Sequence, residues 1–185
     1  MKVFFDTEFT GLQQNTTLIS IGCVAENGKA FYAECMDYDR TQVNDWLREN
    51  VIKHLRWDNG VRGPVLLGPD NYEIYTDRAR VGELLSMWLG MEIGEPVEMW
   101  GDCLAYDWML FCELFGGALN IPKCVYYIPF DLATLLKAKG HDPDMEREPF
   151  GPLDGSTQHN ALHDAKCIKA CYEWAMSERQ SPGAE

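Results

Sequence analysis

Apolar residues and polar residues fall into two rhythms along the chain, one near a period of two and one near 3.6, and the change between them marks out the elements. Residues 2–9, beginning Lys2-Val3-Phe4-Phe5, read as a strand, and residues 17–25 and 30–35 form two more β-rich runs. Glu26-Asn27-Gly28-Lys29 separates the last two, and Asn-Gly between such runs is a hairpin signal. Three antiparallel strands therefore open the chain. After Tyr38 the period lengthens: Val43, Leu47, Val51 and Leu55 recur at helical spacing with Trp46 beside them, which predicts a helix of about three turns. Residues 58–75 hold several Gly and Pro residues and read as loop with room for a short strand. A second helix is expected over 77–89, with Asp77 as N-cap and Val81, Leu84, Leu85 and Trp88 as its buried stripe. From there the types alternate, strand at 97–100, helix at 105–115, strand at 124–128 and helix at 132–139, an order that predicts parallel strands with crossover helices. Residues 140–158, rich in Pro, Gly and Asp, form a long loop, and a last helix runs from about 160 to 178.

Three antiparallel strands continued by parallel ones, with helices packed around the sheet, make an α/β mixed sheet that resembles the ribonuclease H-like fold. The 185 residues fit one domain, taken as 1–180 with a loose tail at 181–185. Apolar residues at 46% and charged residues at 24% exclude a disordered chain. No signal-peptide pattern opens the sequence and no apolar run approaches bilayer length, so the expectation is a cytoplasmic protein with no membrane partner. Seven cysteines, at 23, 35, 103, 112, 124, 167 and 171, are an odd number with no CxxC pair. They read as reduced core thiols. Cys167 and Cys171, four apart on the last helix, lack a second pair that would complete a zinc set.

The formal net charge of −13 argues against binding nucleic acid through a broad basic face. The objection weakens where carboxylates are gathered around divalent cations, which reverse the local field at the point where a phosphate arrives.

Several acids fit that description. Asp6 and Glu8 close the first strand, and the alternation of side chains puts both on one face. Two carboxylates in one small region repel unless a divalent cation sits between them; the plainer reading is a frayed strand end with solvated acids. Asp107 stands three, four and seven residues before Leu110, Phe111 and Leu114, on the helix face that packs inward. Asp102 is its rival, and Asp107 as a simple N-cap is the alternative. Asp164 borders the apolar stripe of the last helix, formed by Ala161, Ala165, Ile168, Tyr172 and Ala175, although a first-turn acid also suits the helix dipole. His159 lies where the long loop meets that helix, five residues before Asp164, and an imidazole suits a general base at neutral pH. His163 is the competing imidazole, one residue from Asp164 and about 100° away around the helix.

These residues carry a family resemblance. DTEFTG from Asp6, YDWMLF from Tyr106 and HNALHD from His159 resemble the three motifs of the DEDDh 3′-to-5′ exonucleases, the superfamily of ribonuclease T, oligoribonuclease and the proofreading subunit of DNA polymerase III. The small size and the DTEF opening also resemble the short mycobacterial exoribonuclease-like group and related phage exonucleases. The middle motif departs from the common pattern, which has Asn four residues before its Asp; here that residue is Cys103. The resemblance implies a metal-dependent 3′-to-5′ exonuclease with two divalent cations, Mg²⁺ or Mn²⁺. Asp6, Glu8, Asp107 and Asp164 would hold the ions, and His159 would activate water to release nucleoside 5′-monophosphates. Phe9, Thr10, Gly11 and Leu12 would contact the terminal nucleotide, with Trp57 a weaker stacking candidate. The implied partner is nucleic acid with a free 3′ end, RNA favoured over DNA, single-stranded or as a 3′ overhang. Ribonuclease T acts as a dimer, which leaves room for a homodimer here. Two rival readings use the same acids: a nuclease fold that only binds nucleic acid, and a ribonuclease H-like endonuclease. Retained, mutually repelling carboxylates speak against the first, and a mobile histidine before the last acid against the second.

Overall fold

Three β-rich runs, the last two joined by Asn-Gly, set the pairing of the opening strands. In a computed structural model that describes residues 1–57, 66–67, 71–93 and 96–177, β1 (Lys2–Phe9) pairs antiparallel with β2 (Leu18–Ala25), and β2 with β3 (Ala30–Cys35). Asn27-Gly28 turns the β2–β3 hairpin: Gly28 takes φ +89°, which costs a residue without Cβ little, and Ala25 N donates to Lys29 O at 2.8 Å. Beyond β3 lie a two-residue strand β4 (Leu66–Leu67) and β5 (Asn71–Thr76), the latter parallel to β3. On the other side β6 (Glu98–Gly101) runs parallel to β1, and β7 (Phe130–Asp131) parallel to β6. The sheet order β4-β5-β3-β2-β1-β6-β7 is the mixed, ribonuclease H-like arrangement expected, antiparallel first and parallel afterwards.

Five α-helices accompany the sheet among the described residues: α1 (Asp45–Asn50), α2 (Arg78–Met87), α3 (Ala105–Glu113), α4 (Leu132–Ala138) and α5 (Ala161–Ser177). Asp77 caps α2 as expected, its side chain accepting from Arg80 N at 3.0 Å. Phe4 and Phe5 alternate across β1 and divide the core between the two faces. Phe5 joins Phe31, Ile74, Leu85, Trp88 and Phe111 on one side, and Phe4 joins Leu132, Leu136 and Ile168 on the other. Asp6 and Glu8 share the Phe4 face, the face covered by α5.

Two expectations are corrected. The helix over Val43 to Leu55 is broken: Asp39 and Asn44 each accept a backbone N–H, so a 3₁₀ turn (Arg40–Gln42), the short α1 and a second 3₁₀ turn (Ile52–His54) replace three continuous turns. Leu47 and Val51 still bury themselves, as their spacing implied. The strand expected at 124–128 is a single bridge between Val97 and Val125; Val125 N donates to Pro122 O, turning the chain, and the paired strand starts later, at Phe130. Within 58–75, read as loop with room for a short strand, the strand is β5, which starts at Asn71 and runs on to Thr76, while residues 58–65 and 68–70 and the tail expected at 181–185 lie outside the described residues. All seven cysteines are free thiols, six of them buried. None of the described helices is long and apolar enough to cross a membrane.

Candidate active site

The carboxyl ends of β1 and β6 open onto a cleft of about 1260 Å³, the place where parallel strands in open α/β sheets commonly receive ligands. Asp6, Glu8, Asp107, His159 and Asp164 all line it, together with residues 9–12. Carboxylate oxygens of Asp6, Glu8 and Asp164 lie within 4.8 Å of one another.

Close packing of α5 on β2 brings Asp164 to Asp6. Gly22 is the register partner of Asp6, and a Cβ placed on it would meet the backbone of Ala161 and Leu162 at 2.3 Å. Only a residue without a side chain lets the first turn of α5 lie directly on the sheet. The end of the preceding loop is fixed as well. His159 N donates to Asp164 Oδ2 at 2.9 Å, and His159 adopts φ +64°, a left-handed conformation that histidine, like asparagine and aspartate, takes more readily than other residues with a side chain. Its ring meets Trp46 edge-on, with centroids 5.2 Å apart.

Asp107 arrives from the other side of β1. Strand β6 pairs with β1 only as far as Phe4, so Thr7 lies beyond its reach, and Asp107 Oδ1 accepts from Thr7 N at 3.0 Å and from Thr7 Oγ1 at 2.5 Å. At 8% exposure, Asp107 is thereby anchored while still facing the cleft. Its rival Asp102 also lines the cleft but is paired there with a cation: Arg147 Nε stands 2.9 Å from Asp102 Oδ2, and Arg147 NH2 donates to Oδ1 at 3.2 Å. Cys103, at the position of the motif's asparagine, has φ +55°, a conformation in which asparagine is favoured.

The electrostatics are those of acids forced together. Burial raises the Asp6 carboxyl well above the usual carboxylate range, and Asp107, Asp164 and Glu8 push it further. Glu8 is pushed up to about 8 by burial and then by Asp164 and Asp107. Asp164 rises to about 6 through burial, opposed by His163 and by the bond from His159 N. Asp107 is raised by burial against the pull of its Thr7 bonds. Among the described residues lining the cleft Arg147 is the one Lys or Arg, and Asp102 holds it. Charge of this density calls for cations, and an all-oxygen donor set suits hard divalent ions such as Mg²⁺ or Mn²⁺.

The residues expected to meet a terminal nucleotide divide by role. Leu12 projects into solvent at 77% exposure, and Phe9 stacks on Tyr106 with centroids 5.3 Å apart. Thr10 is buried, its hydroxyl bonded to Gln42 at 2.5 Å, and Gly11 N donates to Thr16 Oγ1, so these two brace the loop. Trp57 packs on Tyr32, outside the cleft. Sequence reasoning passed over Trp46, which is 55% exposed at the cleft. Its signal was present, since it falls off the Leu47–Val51 stripe and therefore has no core to enter. Arg147 was missed too, lying in an irregular loop without periodicity to interpret. His163 turns into the protein at 2% exposure, where it meets Glu148.

A solved structure of the Neurospora crassa Pan2 catalytic unit, protease and nuclease domain, aligns with 95% of this chain and 27% of its own, at 18% identity and a TM-score of 0.42, a likeness too slight to bear on the chemistry. Sequence relatives are nearer. The 3′-5′ exoribonuclease Rv2179c of Mycobacterium tuberculosis H37Rv is 29% identical over 166 residues, 90% of this chain and 88% of the relative. The 3′-5′ exoribonuclease MT2234.1 of strain CDC 1551 matches to the same extent. The model of the 3′-5′ exoribonuclease Rv2179c-like domain spans residues 1–176, which include every acid of the cleft, and the chain belongs to that Rv2179c-like family.

Proposed function

We propose that this protein hydrolyses RNA from its 3′ end, one nucleoside 5′-monophosphate at a time, using two divalent cations held by Asp6, Glu8, Asp107 and Asp164. The observation that carries the reading is the convergence of Asp6, Glu8 and Asp164 within 4.8 Å, in a cleft shared with Asp107 and His159. Asp6 stands centrally, since the other three acids all act on its charge. Bound there, Mg²⁺ or Mn²⁺ would neutralise the anionic phosphodiester and stabilise the entering and leaving oxygens.

The chain's own groups supply the rest. His159 is only half-buried, and burial together with nearby His54 lowers its pKa, so at neutral pH it is ready to accept a proton from the attacking water. Its backbone bond to Asp164 ties the base to the acid cluster, so the two keep their spacing. Leu12 and Phe9, the latter backed by Tyr106, line the cleft and can receive the terminal base, while Trp46 offers a stacking face beside His159. The choice of RNA rests on the family and on the relatives' activity.

The test uses 5′-labelled single-stranded RNA, single-stranded DNA and a duplex with a 3′ overhang, each with Mg²⁺ or Mn²⁺ and with chelator. Stepwise shortening of RNA that stops on chelation is expected. Internal cuts would favour an endonuclease, and binding without cleavage an inactive nuclease fold.

A further inference from the structure

A second group of metal-ligating side chains stands behind the carboxylates, and its chemistry differs from theirs. Glu148, His163, Asp164 and Cys167 each offer one ligand atom, all within 4.8 Å of one another. His163 and Cys167 are four apart on one face of α5, the spacing at which two helical side chains share a metal. Gly151 keeps the space tight, since a Cβ there would meet Cys167 Sγ at 2.9 Å and His163 Cε1 at 3.1 Å.

Hydrogen bonding fixes which way His163 presents itself. Ser156 Oγ donates to the carboxylate of Asp154, which Lys166 also holds at 3.0 Å, so its single proton is committed. Toward His163 Nδ1, at 2.7 Å, Ser156 Oγ can then only accept, and Nδ1 carries the hydrogen. Nε2 therefore turns its other side to Glu148 Oε2, 3.1 Å away. A proton or a metal ion can bridge that pair. Imidazole whose far nitrogen donates to an outer partner is the usual form of a zinc-bound histidine.

We propose that Glu148, His163, Asp164 and Cys167 form a binding site for Zn²⁺ or a similar thiolate-seeking ion, distinct from the all-oxygen set and sharing only Asp164 with it. Nitrogen, sulfur and oxygen donors in a group of four suit Zn²⁺, which binds them at about 2.0–2.3 Å. Donors of a tetrahedral site lie roughly 3.5 Å apart, so closure from a spread of up to 4.8 Å needs a contraction of about 1 Å. An ion can enter from the cleft, which Glu148, Asp164 and Cys167 all line. Occupancy would draw Asp164 from Asp6 and Glu8. On the proposed function above, Zn²⁺ then inhibits the Mg²⁺-dependent reaction.

Co²⁺ titrated into the full chain, stripped of metal, tests the site through absorption. The expected result is a sulfur-to-cobalt charge-transfer band that Zn²⁺ displaces, that Cys167→Ser abolishes and that Cys103→Ser, the exposed thiol, leaves in place. Ser156→Ala, which removes the acceptor for Nδ1 together with the hydroxyl's bond to Asp154, should weaken Co²⁺ binding about 10- to 100-fold. No sulfur band at saturating Co²⁺, or a band that survives Cys167→Ser, overturns the proposal and leaves His163 and Glu148 as a proton-mediated pair. The spectrum reads ligation alone, so it stands or falls separately from hydrolysis. In the hydrolysis assay Glu148→Gln should need at least about tenfold more Zn²⁺ for the same fractional loss, as loss of one ligand demands; equal sensitivity refutes the inhibitory role.

Discussion

Replacing Gly22 by alanine tests how the cluster is assembled without touching any acid. The new Cβ would lie 2.3 Å from Ala161 C, Ala161 O and Leu162 N, where ordinary contact begins at 3.4 Å. Backbone on both sides leaves no flexible side chain to yield, so α5 must withdraw by about 1 Å or tilt about its first turn, a strain of about 1–3 kcal/mol. For a chain of this size that lowers Tm by roughly 2–12 °C. Asp164 moves with the helix while Asp6 stays with β1, and a 1 Å displacement in a reacting constellation costs about 10²-fold in rate. Thermal melts and single-turnover hydrolysis of a short RNA measure the two effects. Melting lowered by several degrees with hydrolysis slowed about a hundredfold is the expected pair. Hydrolysis at the wild-type rate, whatever the melt shows, would refute the claim that this close approach sets the position of Asp164.

His159→Ala should slow turnover about 10²- to 10⁴-fold while sparing Mn²⁺ binding by calorimetry, whereas Asp6→Ala should abolish both; equal metal loss would refute the division of roles. Glu8, at about 8, and Asp164, at about 6, bind protons more tightly folded than unfolded, so the metal-free protein should lose stability as pH rises from about 4.5 through 8. Saturating Mn²⁺ should flatten or reverse that trend in Tm, and a metal-free Tm that climbs across this range would contradict the picture of mutually repelling acids. Trp46→Ala removes a stacking face and should raise KM for RNA about 5- to 150-fold with little change in kcat; an unchanged KM places the strand elsewhere.

Local periodicity made much of the fold legible. Strands β1 to β3 and the Asn27-Gly28 turn could be placed to within a residue because each strand is a β-rich run and turn chemistry marks the hairpin. Helix α5 followed from its apolar stripe. The edges of the sheet were less legible: β5 shows little alternation and is defined by its pairing with β3, and β7 is two residues long. Asp6 and Glu8 could be joined from alternation alone, but that Asp107 reaches Thr7 depends on β6 stopping short, which no local pattern reports. Gly22 is equally silent in sequence, because its close approach to Ala161 spans 139 positions of chain. Arg147 is the converse case: its ion pair with Asp102 separates the two candidate acids of the second motif, yet it lies in a loop without periodicity.

The most direct measurement is anomalous diffraction from crystals soaked in Mn²⁺. Two peaks about 4 Å apart, bridged by Asp6 and reached by Glu8, Asp107 and Asp164, are the predicted result. Saturating Mn²⁺ that leaves no peak among these four carboxylates would contradict it.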